Sequence, residues 1–352
     1  MNISEKYIKR CIELARNGLG NTYPNPMVGS VIVHKGKIIG EGWHQRAGEA
    51  HAEVNAIASV KDKSLLKNST IYISLEPCSH YGKTPPCSDL IIEKGIRKVV
   101  IGTMDPFAKV AGRGIKKLMD AGSEVKVGVL EEECLELNRR FFSFHNKKRP
   151  YIILKWAQTQ DGFIAPKPRS EKRPVWITNK YSGTLVHKWR GEEAAILVGT
   201  RTVLEDNPNL NVRKWTGADP VRIIIDKELK IPQDASVYNN EQKSIFICER
   251  KPERSNANNP IFEEIGFSEN IAKDISDILY KHELQSVIIE GGTKTLQQFI
   301  DSGLWDEARI FTGSVRFKEG TKAPFLNGKL EKESMIANDN LKIYRNDRGD
   351  NL

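Results

Sequence analysis

Between residues 4 and 16 the apolar side chains Ile8, Cys11, Ile12 and Ala15 fall on one face at helical spacing, and Gly18 follows as a stop. The chain is therefore expected to open on an amphipathic helix. Residues 28–33 and 37–42 flank a Lys35-Gly36 turn and read as a β-hairpin, and residues 50–60 return to the helical period. Strand-like runs at 70–74, 97–102 and 124–127 then alternate with helical stretches at 88–94 and 114–120, the pattern of an α/β layered domain. A helix over 131–142 leads into the basic stretch 146–149 and Pro150, after which an apolar strand begins at 151–156, so a domain boundary is expected near residue 147. Beyond it, strands at 194–198, 221–225, 244–248, 286–289 and 308–312, with helices between several of them, predict a second α/β domain. Residues 250–259 read as a polar surface loop, and the polar tail after Leu326 is expected to be frayed or held by a partner. No internal repeat or long low-complexity tract appears.

Composition narrows this picture only modestly. A chain of 352 residues has room for two domains, each with its own core. The apolar fraction is 39% and the charged fraction 28%, and no apolar run is long enough to cross a bilayer. The first residues carry charges within a helical pattern and lack a signal-peptide core, so a cytoplasmic protein is expected. Five cysteines, odd in number and irregularly spaced, argue against a disulfide framework and leave metal binding or plain burial. The net charge of +9 suits anionic partners, whether nucleic acid, a membrane surface or phosphorylated small molecules.

The cysteines acquire a use beside His51. His51-Ala52-Glu53 opens the helix predicted at 50–60, Cys78 follows the strand at 70–74, and Cys87 comes after an eight-residue gap. One imidazole and two thiolates give Zn2+ three ligands and leave the fourth tetrahedral position for water, as catalytic sites do. Glu53 can reach that water without binding the metal and shuttle protons during hydrolysis. Each part alone is a weak signal, because His and Glu open many helices and an intracellular Cys is more often a buried apolar residue. Together, in this order and on these elements, they point to hydrolytic deamination of a base.

These residues carry a resemblance. Pro24-Asn25-Pro26-Met27-Val28-Gly29, Gly42-Trp43-His44-Gln45-Arg46-Ala47-Gly48, His51-Ala52-Glu53, Leu75-Glu76-Pro77-Cys78-Ser79-His80 and Gly82-Lys83-Thr84-Pro85-Pro86-Cys87 resemble the deaminase half of the RibD family, in which the wide Cys spacing is usual. The match covers most of residues 5–145. It implies a cytidine-deaminase-like α/β/α domain over residues 1–146, acting on a phosphoribosylated diaminopyrimidinone whose ring amino group leaves as ammonia. Asn25, His44, His80 and Lys83 are the implied contacts to the pyrimidine and its phosphate.

The second half lacks the G-x-G-x-x-G of an ordinary dinucleotide fold. The run 286–292 instead reads as a strand ending in Gly291-Gly292, followed by a helix over 293–300, where backbone N–H groups can take a pyrophosphate. The same pattern also serves as an ordinary tight connection. Lys155, Asp161-Gly162, Trp176-Ile177-Thr178, Arg190, Val198-Gly199-Thr200, Thr202-Val203-Leu204, Asp206-Asn207-Pro208, Leu210, Arg213 and Glu290-Gly291-Gly292 resemble the RibD reductase domain, from about residue 150 to 315. The resemblance implies a dihydrofolate-reductase-like α/β domain over 147–352 that uses NADPH to reduce a ribosylamino group to ribitylamino. Ala157, Trp176, Thr202, Asp206 and Gly292, Thr293, Lys294, Thr295, Leu296, Gln297 and Gln298 would line the NADPH site. Arg190, Leu210, Arg213 and Glu290 would face the sugar phosphate, which guanidinium forks grip bidentately. Lys155 and Glu290 are the ionisable candidates for proton donor, which the sequence does not rank. The loop 167–174 looks longer than is usual, and Pro174 stands where many relatives carry a substrate-touching Ser.

Two rival readings share the zinc residues. One is a nucleoside or transfer-RNA deaminase with an RNA-handling second domain, which a stripe of aromatics interleaved with Arg and Lys would support; none is seen. The other is a non-catalytic zinc-stabilised binding protein, against which Glu53 and the count of three ligands speak. The expected partners are therefore small phosphoribosyl pyrimidines, without nucleic acid or membrane. Homo-oligomers are common among such enzymes, and nothing in the sequence fixes a stoichiometry.

Overall fold

Near-continuous burial along its central strands, whose successive side chains point to opposite sides, gives each half of the chain two apolar faces, and each face is covered by helices. The computed structural model describes residues 2–79, 81, 85–107, 111–167, 174–253, 260–268 and 270–346. These form two units, Met1–Lys147 and Lys148–Asn351.

The first unit runs α1 (Ile3–Ala15), β1 (Gly29–His34), β2 (Lys37–Trp43), α2 (Ala52–Ser59), β3 (Thr70–Leu75), α3 (Cys87–Glu93), β4 (Lys98–Thr103), α4 (Arg113–Asp120), β5 (Glu124–Lys126), α5 (Glu131–Leu137) and α6 (Arg139–Lys147). Its sheet has the order β2-β1-β3-β4-β5, with β1 antiparallel to both neighbours and β3, β4 and β5 parallel. Val31, Val33, Tyr72 and Val100 point to one face, against Ile8, Cys11 and Ile12 of α1 and Cys134 and Leu137 of α5. The intervening Ile32, Ile71, Ile73, Val99 and Ile101 point to the other, against Ala56, Ile57, Ile91 and Leu118 of α2, α3 and α4. Helix α1 begins as the periodicity predicts, on a capping box in which Asn2 Oδ1 accepts the Glu5 N–H at 3.0 Å and Glu5 returns a carboxylate to the Asn2 N–H at 2.9 Å.

The helix expected over 131–142 is two helices, α5 and α6. The break falls at Asn138, whose carboxamide accepts the Met27 N–H and donates to the Met27 carbonyl, both at 2.8 Å. Asn138 is buried, and its partner lies far away in sequence, where no local period reports it. Asn138→Ala would leave both Met27 groups without these bonds. We expect it to destabilise the first unit by about 3 kcal/mol, read as a lower urea midpoint for that unit alone.

The second unit runs β6 (Tyr151–Gln158), β7 (Phe163–Pro166), α7 (Lys180–Glu192), β8 (Ala195–Gly199), α8 (Thr200–Asp206), β9 (Val221–Ile225), β10 (Ser244–Cys248), β11 (Ile261–Glu264), α9 (Ile271–Lys281), β12 (Ser286–Ile289), α10 (Thr293–Asp301), β13 (Glu307–Thr312), β14 (Gly320–Lys322), β15 (Lys329–Ile336) and β16 (Asp339–Arg345). Nine strands form one sheet in the order β11-β10-β9-β8-β12-β6-β13-β16-β15, and β7 pairs with β14 apart from it. From β11 to β13 the pairing is parallel, and only the last two strands turn back. One face packs against Ile275 and Leu279 of α9 and Leu296 and Phe299 of α10. The other packs against Val186 and Trp189 of α7 and Val203 of α8.

The tail after Leu326 is not frayed through residue 345. It forms the hairpin β15–β16, and β16 lies inside the sheet, paired with β13 along six residues. Its polar composition reflects exposed strands: Leu341 is buried, while Lys329, Glu331, Lys332 and Glu333 are all exposed along the outer edge, where charge discourages further pairing.

Candidate active sites

In the first unit, the carboxyl end of β3 leads through Glu76 and Pro77 to Cys78, the N-cap of α2 is His51, and α3 begins at Cys87. Three separate element ends thus bring three donors to one point. His51 Nδ1 lies 3.6 Å from Cys78 Sγ and 3.4 Å from Cys87 Sγ, and all three donor atoms lie within 4.8 Å of one another. Zinc bound tetrahedrally at about 2.3 Å to sulfur and about 2.0 Å to nitrogen sets S and N about 3.5 Å apart, so the donor set fits the ion in chemistry and spacing. The Cys87 backbone N–H donates to Cys78 Sγ at 3.2 Å, and the Cys87 side chain together with His51 pulls the Cys78 thiol down from its ordinary value.

Glu53 sits in the first turn of α2, only 3% exposed. Burial pushes its carboxyl up to about 7, with the Cys78 sulfur adding and His51 opposing. His44 Nδ1 faces the Ala50 carbonyl at 3.1 Å, and its Nε2 faces the Asn25 carboxamide nitrogen at 3.1 Å. Burial lowers its pKa, so the neutral ring donates from Nδ1 and accepts from Asn25 at Nε2. The His44 ring stands edge-on to His51 with centroids 5.2 Å apart, which brings Asn25 and His44 beside the metal ligands. His80 and Lys83 lie outside the described residues.

In the second unit a cavity of about 980 Å³ opens at the carboxyl ends of β6, β8 and β12, where ligands of parallel α/β sheets bind. Ala157, Trp176, Thr202, Asp206 and every residue of the run 292–298 except Leu296 line it, as does Pro174. Leu296 is fully buried on the core side of α10, which presents alternate faces, and its side chain does not reach the cavity. Trp176 stands 63% exposed at the cavity, with the Lys214 ammonium 5.4 Å from its ring centroid. A Cβ on Gly291 would come within 3.2 Å of Thr295 Cβ and 3.3 Å of the Gly199 nitrogen. The glycine thus lets the β12–α10 turn sit against the end of β8, and the N-terminal turn of α10 faces the cavity, a setting suited to a nucleotide's phosphates.

Glu290 also lines this cavity, and its carboxylate is doubly engaged by Arg190, with Nε–Oε1 3.0 Å and Nη2–Oε2 2.8 Å, while Lys155 Nζ lies 3.7 Å from Oε2. All three side chains are at most 13% exposed. Burial alone would raise Glu290, but Arg190 and Lys155 outweigh it and hold the carboxyl at about 2; burial lowers Lys155. Arg190 and Glu290 thus engage one another, and Arg190 makes a third contact to the Asn211 carbonyl at 3.3 Å. Leu210 is buried, with φ at 57°, and can offer only backbone. Arg213 remains at the surface, its Nη1 donating to Asn211 Oδ1 at 3.2 Å. The buried His187, which the sequence reading passed over, takes the Arg213 N–H on Nδ1 at 3.4 Å, and burial, Arg190 and Arg213 push it down to about 4.

Residues 1–103 match the family described as "Cytidine and deoxycytidylate deaminase zinc-binding region", and residues 150–339 match "RibD C-terminal domain". Among curated relatives, a riboflavin biosynthesis protein RibD of Aquifex aeolicus is 42% identical over 340 residues, covering 95% of this chain and 93% of that protein. One of Bacillus amyloliquefaciens is 39% identical, covering 92% and 88%. Among solved structures, a diaminohydroxyphosphoribosylaminopyrimidine deaminase/5-amino-6-(5-phosphoribosylamino)uracil reductase of Thermotoga maritima superposes with TM-score 0.88 at 36% identity, covering 98% of this chain and 99% of that one. Acinetobacter baumannii RibD does so with TM-score 0.88 at 31%, covering 97% and 98%.

Proposed function

Because the chain belongs to the RibD family and is a bifunctional deaminase and reductase of riboflavin biosynthesis, we propose that it works on the two substrates named for its Thermotoga relative. The first is the phosphoribosylamino diaminopyrimidinone, deaminated by residues 1–146. The second is the resulting phosphoribosylaminouracil, whose ribosyl group is reduced to ribityl by residues 147–352. Both substrates are small and anionic, which accounts for the basic balance of the chain without nucleic acid. No helix among the described residues is long and apolar enough to cross a membrane.

In the deaminase, His51, Cys78 and Cys87 hold Zn2+, which when bound supplies an activated water at neutral pH. As water adds to the amino-bearing ring carbon, Glu53 would carry one of its protons to the ring nitrogen, and then the remaining hydroxyl proton to the amino group as the carbon–nitrogen bond breaks and ammonia leaves. A carboxyl buried beside three metal ligands, yet outside their set, is the observation that carries this half. Asn25, oriented by His44, takes the pyrimidine edge, and His80 and Lys83 complete the substrate contacts.

In the reductase, bound NADPH supplies the hydride. Ala157, Trp176, Thr202, Asp206 and the outer face of residues 292–298 position it in the cavity at the strand ends. Reduction at the anomeric carbon breaks its bond to the ring oxygen, and that oxygen needs a proton. Glu290, held ionised by Arg190, has none to give. Lys155, buried and lowered, does, and becomes neutral as it donates. Arg213, with Leu210 and Asn211 backbone and Arg190 behind it, faces the phosphate.

The test uses the intact chain. After treatment with a zinc chelator, ammonia release from the diaminopyrimidinone should fall to background, while NADPH oxidation with the deaminated intermediate persists, and added Zn2+ should restore ammonia release. Ammonia release indifferent to chelation would sink the zinc assignment. Loss of both activities together would make the metal structural.

A further inference from the structure

We propose that Glu76 is a positioning residue of the deaminase, tying Asp105 and the first turn of α4 to the segment that carries Cys78. The proposal rests on the deaminase reading of that site. Glu76 is 4% exposed, and its two carboxylate oxygens accept four backbone N–H groups. Oε2 takes those of Asp105 at 3.3 Å and Gly112 at 2.9 Å, and Oε1 takes those of Gly114 at 2.9 Å and Ile115 at 3.2 Å. Gly112, Gly114 and Ile115 open α4, so the buried negative charge is met by the first-turn N–H groups and the positive end of a helix.

The clamp sits where the chemistry would feel it. Strands β3 and β4 are parallel neighbours, and the Glu76 N–H donates to the Thr103 carbonyl at 3.0 Å, so their two exits lie side by side. From one exit the chain runs through Pro77 to Cys78, and from the other to Asp105. A Cβ on Gly114 would stand 2.2 Å from the Pro77 carbonyl oxygen, which puts the start of α4 in direct backbone contact with the residue before the metal ligand. The Asp105 side chain is itself only 9% exposed, with its carboxylate accepting the Phe107 N–H at 2.8 Å, and both Glu76 and Cys78 act on it electrostatically. Glu76 therefore fixes where Asp105 and the start of α4 stand relative to the segment that carries Cys78. The arrangement needs two anionic oxygens. A Gln amide would offer one acceptor and turn an NH2 against two of the four donors.

In the full-length chain, Glu76→Gln should raise KM for ammonia release by about 10- to 100-fold with a smaller change in kcat, because the charge-assisted hydrogen bonds that hold Asp105 and the start of α4 beside the Cys78 segment are lost. Zinc content and NADPH oxidation by the same molecules should be unchanged, and amide hydrogen exchange at Gly112, Gly114 and Ile115 should accelerate. Glu76→Asp, which keeps the charge but shortens the reach, should fall between, and it gives the readout if the Gln variant does not fold. An unchanged KM or unchanged exchange at those amides would overturn the proposal, as would loss of zinc in step with activity, since Glu76 would then only prop the ligand. Wild-type chain that releases no ammonia would fail the deaminase reading itself, a separate result.

Discussion

Glu53→Gln should abolish ammonia release almost completely while leaving zinc bound and the second activity intact. The amide keeps the size of the side chain and can still be buried beside Cys87, but it cannot carry a proton from water to ring nitrogen. Positioned acid–base groups contribute about 10²- to 10⁴-fold, and here one group serves both the attack and the departure of the amine, so the upper end is expected. The assay is ammonia production with excess substrate, alongside zinc analysis of the same sample. A variant retaining more than a tenth of the wild-type rate would mean that another group moves the proton, and one without zinc would give Glu53 a ligand's role.

The second large effect is on stability. Glu290 is the one carboxylate between two buried cations, Lys155 and Arg190. Glu290→Gln preserves volume but leaves both positive charges without it, a loss that typically costs about 3–5 kcal/mol when the partner stays buried. Lys155, already lowered by burial, can shed its proton and so limit the damage, at the expense of the proton donor. We therefore expect NADPH oxidation to be lost even where the unit is still folded, and the urea midpoint of the second unit to fall while that of the first stays. The pH dependence has a definite sign. Glu290 is held at about 2 against an ordinary 4.5, so its contribution is complete above the ordinary value and drains away as pH falls toward 2. The Gln variant should lack that acid-side slope. Coincident wild-type and variant unfolding curves would show that the ion cluster contributes nothing net.

The grouping of His51, Cys78 and Cys87 could be read from the sequence because each stands at the end of a strongly patterned element, and ends are where periodicity and punctuation are clearest. Helix α2 starts after His51, β3 ends just before Glu76, and α3 begins at Cys87. The same holds for Gly291-Gly292 between β12 and α10. What could not be read is what depends on partners distant in the chain. Asn138 splits a periodic helical run because Met27 lies across from it, and nothing at 131–142 announces that. Arg190 and Glu290 were each marked as phosphate contacts, but residue type alone did not reveal that they would choose one another. Glu76 was visible only as a letter beside Cys78, since its partners are backbone N–H groups, which every residue but proline possesses. The hairpin β15–β16 escaped because strands with one wet face carry too few apolar residues to separate them from a loop by composition.

The strand order of the second unit bears on how it is made. Its first strand, β6, ends up inside the sheet, sixth of nine, with Tyr151 opposite Ser286 on one side and Ile153 opposite Glu307 on the other. Strand β6 reads Tyr-Ile-Ile-Leu-Lys-Trp-Ala-Gln, an apolar segment that leaves the ribosome long before either neighbour exists. The first unit has no such delay, since β3 pairs with strands close by on both sides. Non-local pairing of this kind slows folding, and an unpaired apolar strand invites association in the meantime. A nascent chain would thus carry a finished deaminase ahead of a reductase that is still waiting for its own centre.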